Sequence, residues 1–199
     1  MRPLSAGAFM EAYQSVNDTS KTVYGLSVTG MRAFVPNSVE EVKDSIGHHE
    51  YGVKDEILLD FTVPVYHFIS HFEIGGGLQY FTPYVSLGFA SDHFGVMGWG
   101  SFIAGGISVM EQISPITKMH IGLFQFASRS ISFVGCKEKE STDCGEAFGT
   151  FIKYFEFGGG TYFMYKTGFG MHLGFEFRYS HDITYKANRF AFAVNILGH

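Results

Sequence analysis

The sequence predicts an all-β protein: an eight-stranded antiparallel barrel that crosses a membrane, or a ten-stranded one if residues 4–15 add a strand and the chain breaks at Thr82-Pro83-Tyr84. Three observations predict it. First, Met171, Leu173, Phe175, Phe177 and Tyr179 alternate with His172, Gly174, Glu176 and Arg178, and the polar set continues to Ser180 and Asp182. The pattern returns from Arg189 to Leu197, where Phe190, Phe192, Val194 and Ile196 stand against Arg189, Ala191, Ala193 and Asn195. Successive side chains of a strand point to opposite faces, so each segment has one bulky apolar face and one small or polar face. A strand needs that division when lipid lies on one side and a narrow polar interior on the other. Second, the chain has 22 Phe, 11 Tyr and 25 Gly but only 17% charged residues. Soluble domains carry ~25%, so much of this exterior is expected not to face water. Third, no run reaches the ~18–20 apolar residues of a transmembrane helix, and in lipid only helices and closed barrels satisfy every backbone group. A length of 199 residues fits one barrel. The net charge of −5 and the lack of a basic stripe exclude nucleic acid as a partner.

In chain order, residues 1–21 are an N-terminal segment or an extra strand over 4–15, and residues 22–199 form the barrel. Thr22 to Phe34 is rich in β-branched and aromatic residues and reads as a strand. The polar segment 35–54 is a long exposed loop. Asp55 to Tyr66 is the next strand, with Ile57, Leu59, Phe61, Val63 and Val65 on one face and Leu58, Asp60, Thr62, Pro64 and Tyr66 on the other. Pro64 has no N–H for the ladder and is expected near the strand end. Strands are further expected over 72–89, 96–110, 118–133 (with a bulge near Phe124), 147–165, 169–182 and 189–197. The connections at 67–71, 111–117 and 166–168 are short, whereas 35–54 and 134–146 are long and polar. Short turns at one end and long loops at the other are the asymmetry of bacterial outer-membrane barrels. On this count 91–95 and 183–188 fall at the long-loop end.

Phe72-Glu73-Ile74-Gly75-Gly76-Gly77 is echoed by Phe155-Glu156-Phe157-Gly158-Gly159-Gly160. Neither copy has the Lys-Ser/Thr ending or the following helix of a phosphate loop. Glycine runs of this kind belong to the tight bends of a small barrel. Cys136 and Cys144 lie in the second long loop, and an oxidising compartment makes them a local disulfide, with free thiols the alternative. No metal ligands stand at metal-binding spacing near them, and no cofactor motif is present. His67, His71, His93 and His120 fall near strand ends, where amphipathic side chains meet a membrane interface. His172, Glu176 and Arg178 share the polar face, and Asp60 lies on the matching face of an earlier strand. Charges inside a narrow barrel must be paired, so these four are expected to form an interior polar network that fills the lumen.

The run from Phe155-Glu156-Phe157-Gly158-Gly159-Gly160 through Phe175-Glu176-Phe177-Arg178-Tyr179-Ser180 to Phe190-Ala191-Phe192-Ala193-Val194 resembles the small bacterial outer-membrane β-barrels of the OmpA/OmpX/OmpW type. That resemblance covers most of the chain from Thr22 onward. It implies a Gram-negative outer membrane, contact with its lipid and lipopolysaccharide, and a leader removed before residue 1. Met1-Arg2-Pro3-Leu4 is not itself such a leader, so the chain reads as a mature form with an added Met or as an incomplete start. Barrels of this type usually end in an aromatic residue, and here the end is Ile196-Leu197-Gly198-His199. Function is expected in loops 35–54 and 134–146, as adhesion or ligand contact, or in narrow small-solute passage. An eight-stranded interior is filled by side chains, so a wide pore is not expected.

Two alternatives come from other classes. Arg178-Tyr179-Ser180-His181-Asp182-Ile183-Thr184 resembles the late strand of outer-membrane lipid A deacylases, which carries a His-x-Ser pair. The residue two beyond His181 is Ile183, however, and the adjacent Ser180 and His181 should point to opposite faces, so no catalytic residue is assigned. A soluble lipocalin-like barrel would turn the apolar face inward around an apolar ligand. Its outer face would then carry Gly174, Ala191 and Ala193, a poor surface for water.

Overall fold

The structure is a computed structural model that describes residues 3–16, 21–34, 57–134, 150–167, 170–184 and 186–198. Among these residues the alternating segments form ten strands: β1 (Thr22–Phe34), β2 (Ile57–Ile69), β3 (Phe72–Gln79), β4 (Thr82–Ala90), β5 (Phe94–Gly100), β6 (Ala104–Ile116), β7 (Met119–Val134), β8 (Thr150–Lys166), β9 (His172–Asp182) and β10 (Ala187–Gly198). Each pairs antiparallel with its neighbours in sequence, and β1 closes on β10, so the sheet has no free edge.

Of the two strand counts expected, eight and ten, the barrel has ten, because two segments expected as single strands are hairpins. The first turns at Tyr80-Phe81, just ahead of Thr82-Pro83-Tyr84. Both turn residues have positive φ, at 47° and 63°. A two-residue turn of that kind normally uses Asn or Gly, so Tyr-Phe gives no signal in the sequence. The Phe61 ring packs against both, with centroids 5.9 and 5.1 Å away. The second hairpin turns at Ser101-Phe102-Ile103. There the Ser101 hydroxyl accepts from the Ile103 and Ala104 N–H groups at 3.3 and 3.1 Å. The extra hairpins also move residues 91–93 to the short-turn end, with 70–71, 117–118 and 167–171. At the other end lie the turns 80–81 and 101–103, together with the end of β1 at Phe34, the start of β2 at Ile57, the end of β7 at Val134 and the start of β8 at Thr150.

Side-chain orientation follows the alternation. On β9, His172, Gly174, Glu176, Arg178, Ser180 and Asp182 face the lumen and are buried, while Phe175, Phe177 and Tyr179 face out. On β10, Phe190, Phe192 and Ile196 are outward, and Ala193 and Asn195 are inward. The same outward set includes Leu59 and Val63 on β2, Leu87 on β4 and Leu123 on β7. The apolar face is thus on the outside, the reverse of what a soluble ligand-holding barrel requires. Regular alternation also continues through Phe124, which faces inward beside Phe126. The expected bulge there is absent, and the register shift lies between Ile113 and Ile116.

Pro64 departs from its expected place at a strand end. It lies in mid-strand opposite Gly77. The ladder to β1 passes from Tyr24↔Val65 to Ser27↔Thr62 and leaves out the step where Pro64 has no N–H to give. The two glycine runs mark close backbone approach, as the sequence implied. A Cβ at Gly77 would fall on the Val63 carbonyl oxygen, and one at Gly160 on the Phe177 carbonyl oxygen. Backbone cannot move aside as a flexible side chain can. Gly160→Ala is therefore expected to lower stability by about 1–3 kcal/mol, read as a lower urea midpoint.

The N-terminal segment corrects a further expectation. Residues 4–15 do not form a strand, because Ala6–Ser15 is an α-helix, α1. The reason is local. Ala, Met and Glu favour helix, no β-branched residue interrupts the run, and the Ser5 hydroxyl caps it by accepting from the Ala8 N–H at 3.1 Å. Among the described residues no helix is long and apolar enough to cross a membrane.

Candidate functional site: a helix in the barrel lumen

A helix buried on nearly every side must lie inside something, and α1 lies inside the barrel. It packs against β8, β9, β10, β1 and β6, with lighter contact to β2 and β7. Phe9 is fully buried against Tyr66 and Phe68, at 6.0 and 5.8 Å between centroids. The wall is cut away to admit it: a Cβ at Gly88 would sit 2.6 Å from the Phe9 ring, and one at Gly95 would sit 2.5 Å from Met10 Sδ. On the opposite side Gly7 leaves room for the Tyr162 ring.

Polar contacts fix the helix along β9. Glu176, with no exposure, accepts from the Ser5 hydroxyl at 2.8 Å and from the Gly7 N–H at 3.1 Å. Its carboxylate thus sits at the helix N-terminus, where unpaired N–H groups and the helix dipole favour negative charge. Arg178 Nε pairs with the other Glu176 oxygen, and Arg178 Nη1 donates to the Pro3 carbonyl at 2.5 Å. Near the short-turn end, Glu11 is held between two histidines. Its Oε2 lies 2.5 Å from His120 Nδ1, and its Oε1 meets His172 Nδ1. The helix is therefore tethered twice, at its N-terminus by an acid on the wall and at mid-length by an acid of its own.

Of the four expected network residues, His172, Glu176 and Arg178 are brought together along α1. Asp60 faces the lumen from β2, where its Oδ2 accepts from Gln79 Nε2 at 2.9 Å. Closer to the long-loop end Arg189 bridges Glu156 at 3.2 Å and Asp182 at 2.8 Å, and the Ser180 hydroxyl donates to Glu156. His181 is on the outer face with Asn188, so Ser180 and His181 do not meet. His67 and His71 lie at the short-turn end, on Thr22 and Tyr13 hydroxyls respectively. His120 does not belong with them, since it points into the lumen. Cys136 and Cys144 lie outside the described residues. Among the described residues no group of three His, Cys, Asp or Glu is arranged to hold a metal ion.

Sequence reasoning missed Glu11, His120 and Ser5. A glutamate within an apolar N-terminal run was a signal for Glu11. Its histidine partners stand 109 and 161 residues away, a pairing that no local pattern encodes.

Burial alone would push the Glu11 carboxyl up, but the hydrogen bonds and charges of His120 and His172 outweigh it and hold Glu11 below the ordinary carboxylate range. A carboxylate held low contributes stability above its unfolded value and loses it as pH falls through its folded value. The grip on α1 should accordingly weaken on acidification below the carboxylate range. Thermal melting of the wild type across that range, set beside Glu11→Gln, checks this, and the variant should show a flatter pH dependence.

No protein-family profile and no curated protein sequence matches the chain. Among solved structures, the barrel of neisserial surface protein A is 10% identical and aligns over 90% of this chain and 97% of that one, with a TM-score of 0.50. The N-terminal β-barrel domain of Pseudomonas aeruginosa OprF is 7% identical and covers 89% of this chain and 98% of that one, at a TM-score of 0.39. The second likeness is too loose to argue from. The first is one of fold, and it matches the kind of small barrel that the alternation in the last strands resembles.

Proposed function

We propose that the protein is an integral barrel of a Gram-negative outer membrane, with its lumen closed by its own N-terminal helix and with the loops expected over 35–54 and 134–146 available for ligand contact. The observation that carries this is the orientation of a closed sheet: its outer face is dominated by apolar and aromatic side chains, while Asp60, Glu73, Glu176, Arg178 and Asp182 are turned inward. Phe177, at 60% exposure, and its outward neighbours would be a severe liability in water, while in lipid they face their own kind. The fold shared with neisserial surface protein A supports the location. Ten strands enclose more room than eight, and α1 fills it, which favours contact at the loops over solute passage.

The test is refolding with and without detergent micelles, followed by gel mobility before and after boiling. Folding only with detergent, and a mobility shift on boiling, is the expected result. A monodisperse β-rich protein without detergent would sink the proposal.

A further inference from the structure

The two glycine runs are alike in more than sequence. In each, the glutamate ahead of the run faces the lumen, and a serine of the next strand donates to it: Ser180 to Glu156, and Ser86 to Glu73 at 2.8 Å. The registers also agree. Each serine stands opposite the residue two beyond the glutamate, Ser180 against Gly158 and Ser86 against Gly75. One strand further on, the two runs part. Arg189 stands opposite Ser180 and bridges Glu156, whereas Trp99 stands opposite Ser86. Indole carries no charge. Among the described residues the one bond to Glu73 is that from Ser86.

Glu73 is nevertheless only 1% exposed, and its Oε2 has no hydrogen-bond partner among the described residues. The carboxylate lies over Gly75, where a Cβ would fall 2.1 Å from Oε1. Tyr84, 4% exposed, reaches over the next inward glycine: its hydroxyl would stand 3.0 Å from a Cβ at Gly77, and it too has no partner among the described residues. Inward positions of a strand recur about every 7 Å, so a carboxylate and a phenol oxygen flank one short stretch of bare backbone. Phe9 closes that stretch toward the short-turn end, since its ring covers both Phe68 and Gly88, the register partners of Glu73.

A carboxylate taken out of water has to be paired with a cation or hold a metal ion. Beside Glu156 that need is met by Arg189. Beside Glu73 the wall offers only oxygens, the carboxylate and the Ser86 and Tyr84 hydroxyls, and such donors suit a hard cation. One carboxylate balances one charge, and among the described residues no three His, Cys, Asp or Glu stand together to hold more. We propose that Glu73, Ser86 and Tyr84 form a lumenal site for one sodium or potassium ion, which stands to Glu73 as the Arg189 guanidinium stands to Glu156. The site belongs to the lumen and goes beyond the loop contacts and membrane location proposed above.

The experiment follows the emission of Trp99, the single tryptophan, which pairs with Ser86 across the sheet. The full chain, refolded in detergent, is titrated with sodium chloride and separately with potassium chloride. Each replaces choline chloride at constant ionic strength and mildly alkaline pH, where protons compete least for a carboxylate. At least one of the two series should give a saturable change. Above half-saturation, each tenfold rise in that ion should lower the unfolding constant in urea about tenfold. Tyr84→Phe should raise the half-saturating concentration about tenfold, and Glu73→Gln should abolish the response. In choline alone Glu73→Gln should unfold at no lower urea concentration than the wild type, because it removes a buried charge. In the saturating metal ion the wild type should overtake it. Heat-modifiable mobility establishes that each variant is folded. Wild-type emission and urea midpoints that agree in all three salts would overturn the site and leave Glu73 as a protonated acid. A metal response that Glu73→Gln retains would overturn it too, by placing the ion elsewhere. Failure of the membrane location would be seen separately, as folding without detergent, and the same titration would then be run in buffer.

Discussion

Arg178→Met will cost about 3–5 kcal/mol of barrel stability, because it strands a carboxylate that water cannot reach. Glu176 is fully buried, and Arg178 is the cation that pairs with it inside the barrel. The same substitution removes the donor to the Pro3 carbonyl, so the start of α1 is loosened as well. The cost should be largely recovered in Glu176→Gln/Arg178→Met. There the charge is gone, and the amide oxygen still accepts from Ser5 and Gly7. Trp99 is the single tryptophan and faces the lumen. Its fluorescence in a urea titration reports both midpoints. A single variant as stable as the wild type would mean that the pair does not hold the structure together.

Removal of residues 1–16 should convert the barrel from closed to conducting. The wall left behind has Glu73, Glu176, Glu156 and Asp182 facing inward against Arg178 and Arg189. Carboxylates outnumber guanidinium groups on it, so the open lumen should prefer cations. In a planar bilayer the full chain is expected to be silent, and the truncated chain to give steps whose reversal potential in a salt gradient favours cations. Steps of equal size from both proteins would show that α1 is not the barrier. A boiling-dependent mobility shift establishes that the truncated barrel has folded.

Legibility in the sequence followed the range of the interaction. The faces of β9 and β10 were plain, because alternation is a nearest-neighbour property and lipid and lumen impose it on consecutive residues. Glu176 and Arg178 could be placed inward for the same reason. The strand count was obscured by two turns without turn chemistry, Tyr80-Phe81 and Ser101-Phe102-Ile103. At the first, packing on Phe61 replaces the glycine that the backbone would otherwise call for. The helix was hidden differently. Its residues favour helix, but what keeps it is a set of partners on β7 and β9, more than a hundred residues later. His120 illustrates the difficulty: its position near a strand end was read correctly, while its direction depended on a glutamate more than a hundred residues earlier.

The lumenal helix also dictates an order of assembly. It precedes β1 in the chain, and its polar partners on the wall, His120, His172, Glu176 and Arg178, belong to β7 and β9, more than a hundred residues later. The ring is completed where β1 meets β10. The helix can be gripped only once β7 and β9 are in place, so it has to wait for them before it can dock. Contacts spanning 109 to 175 residues delay the productive event until most of the sheet exists, and folding slows as such separations grow.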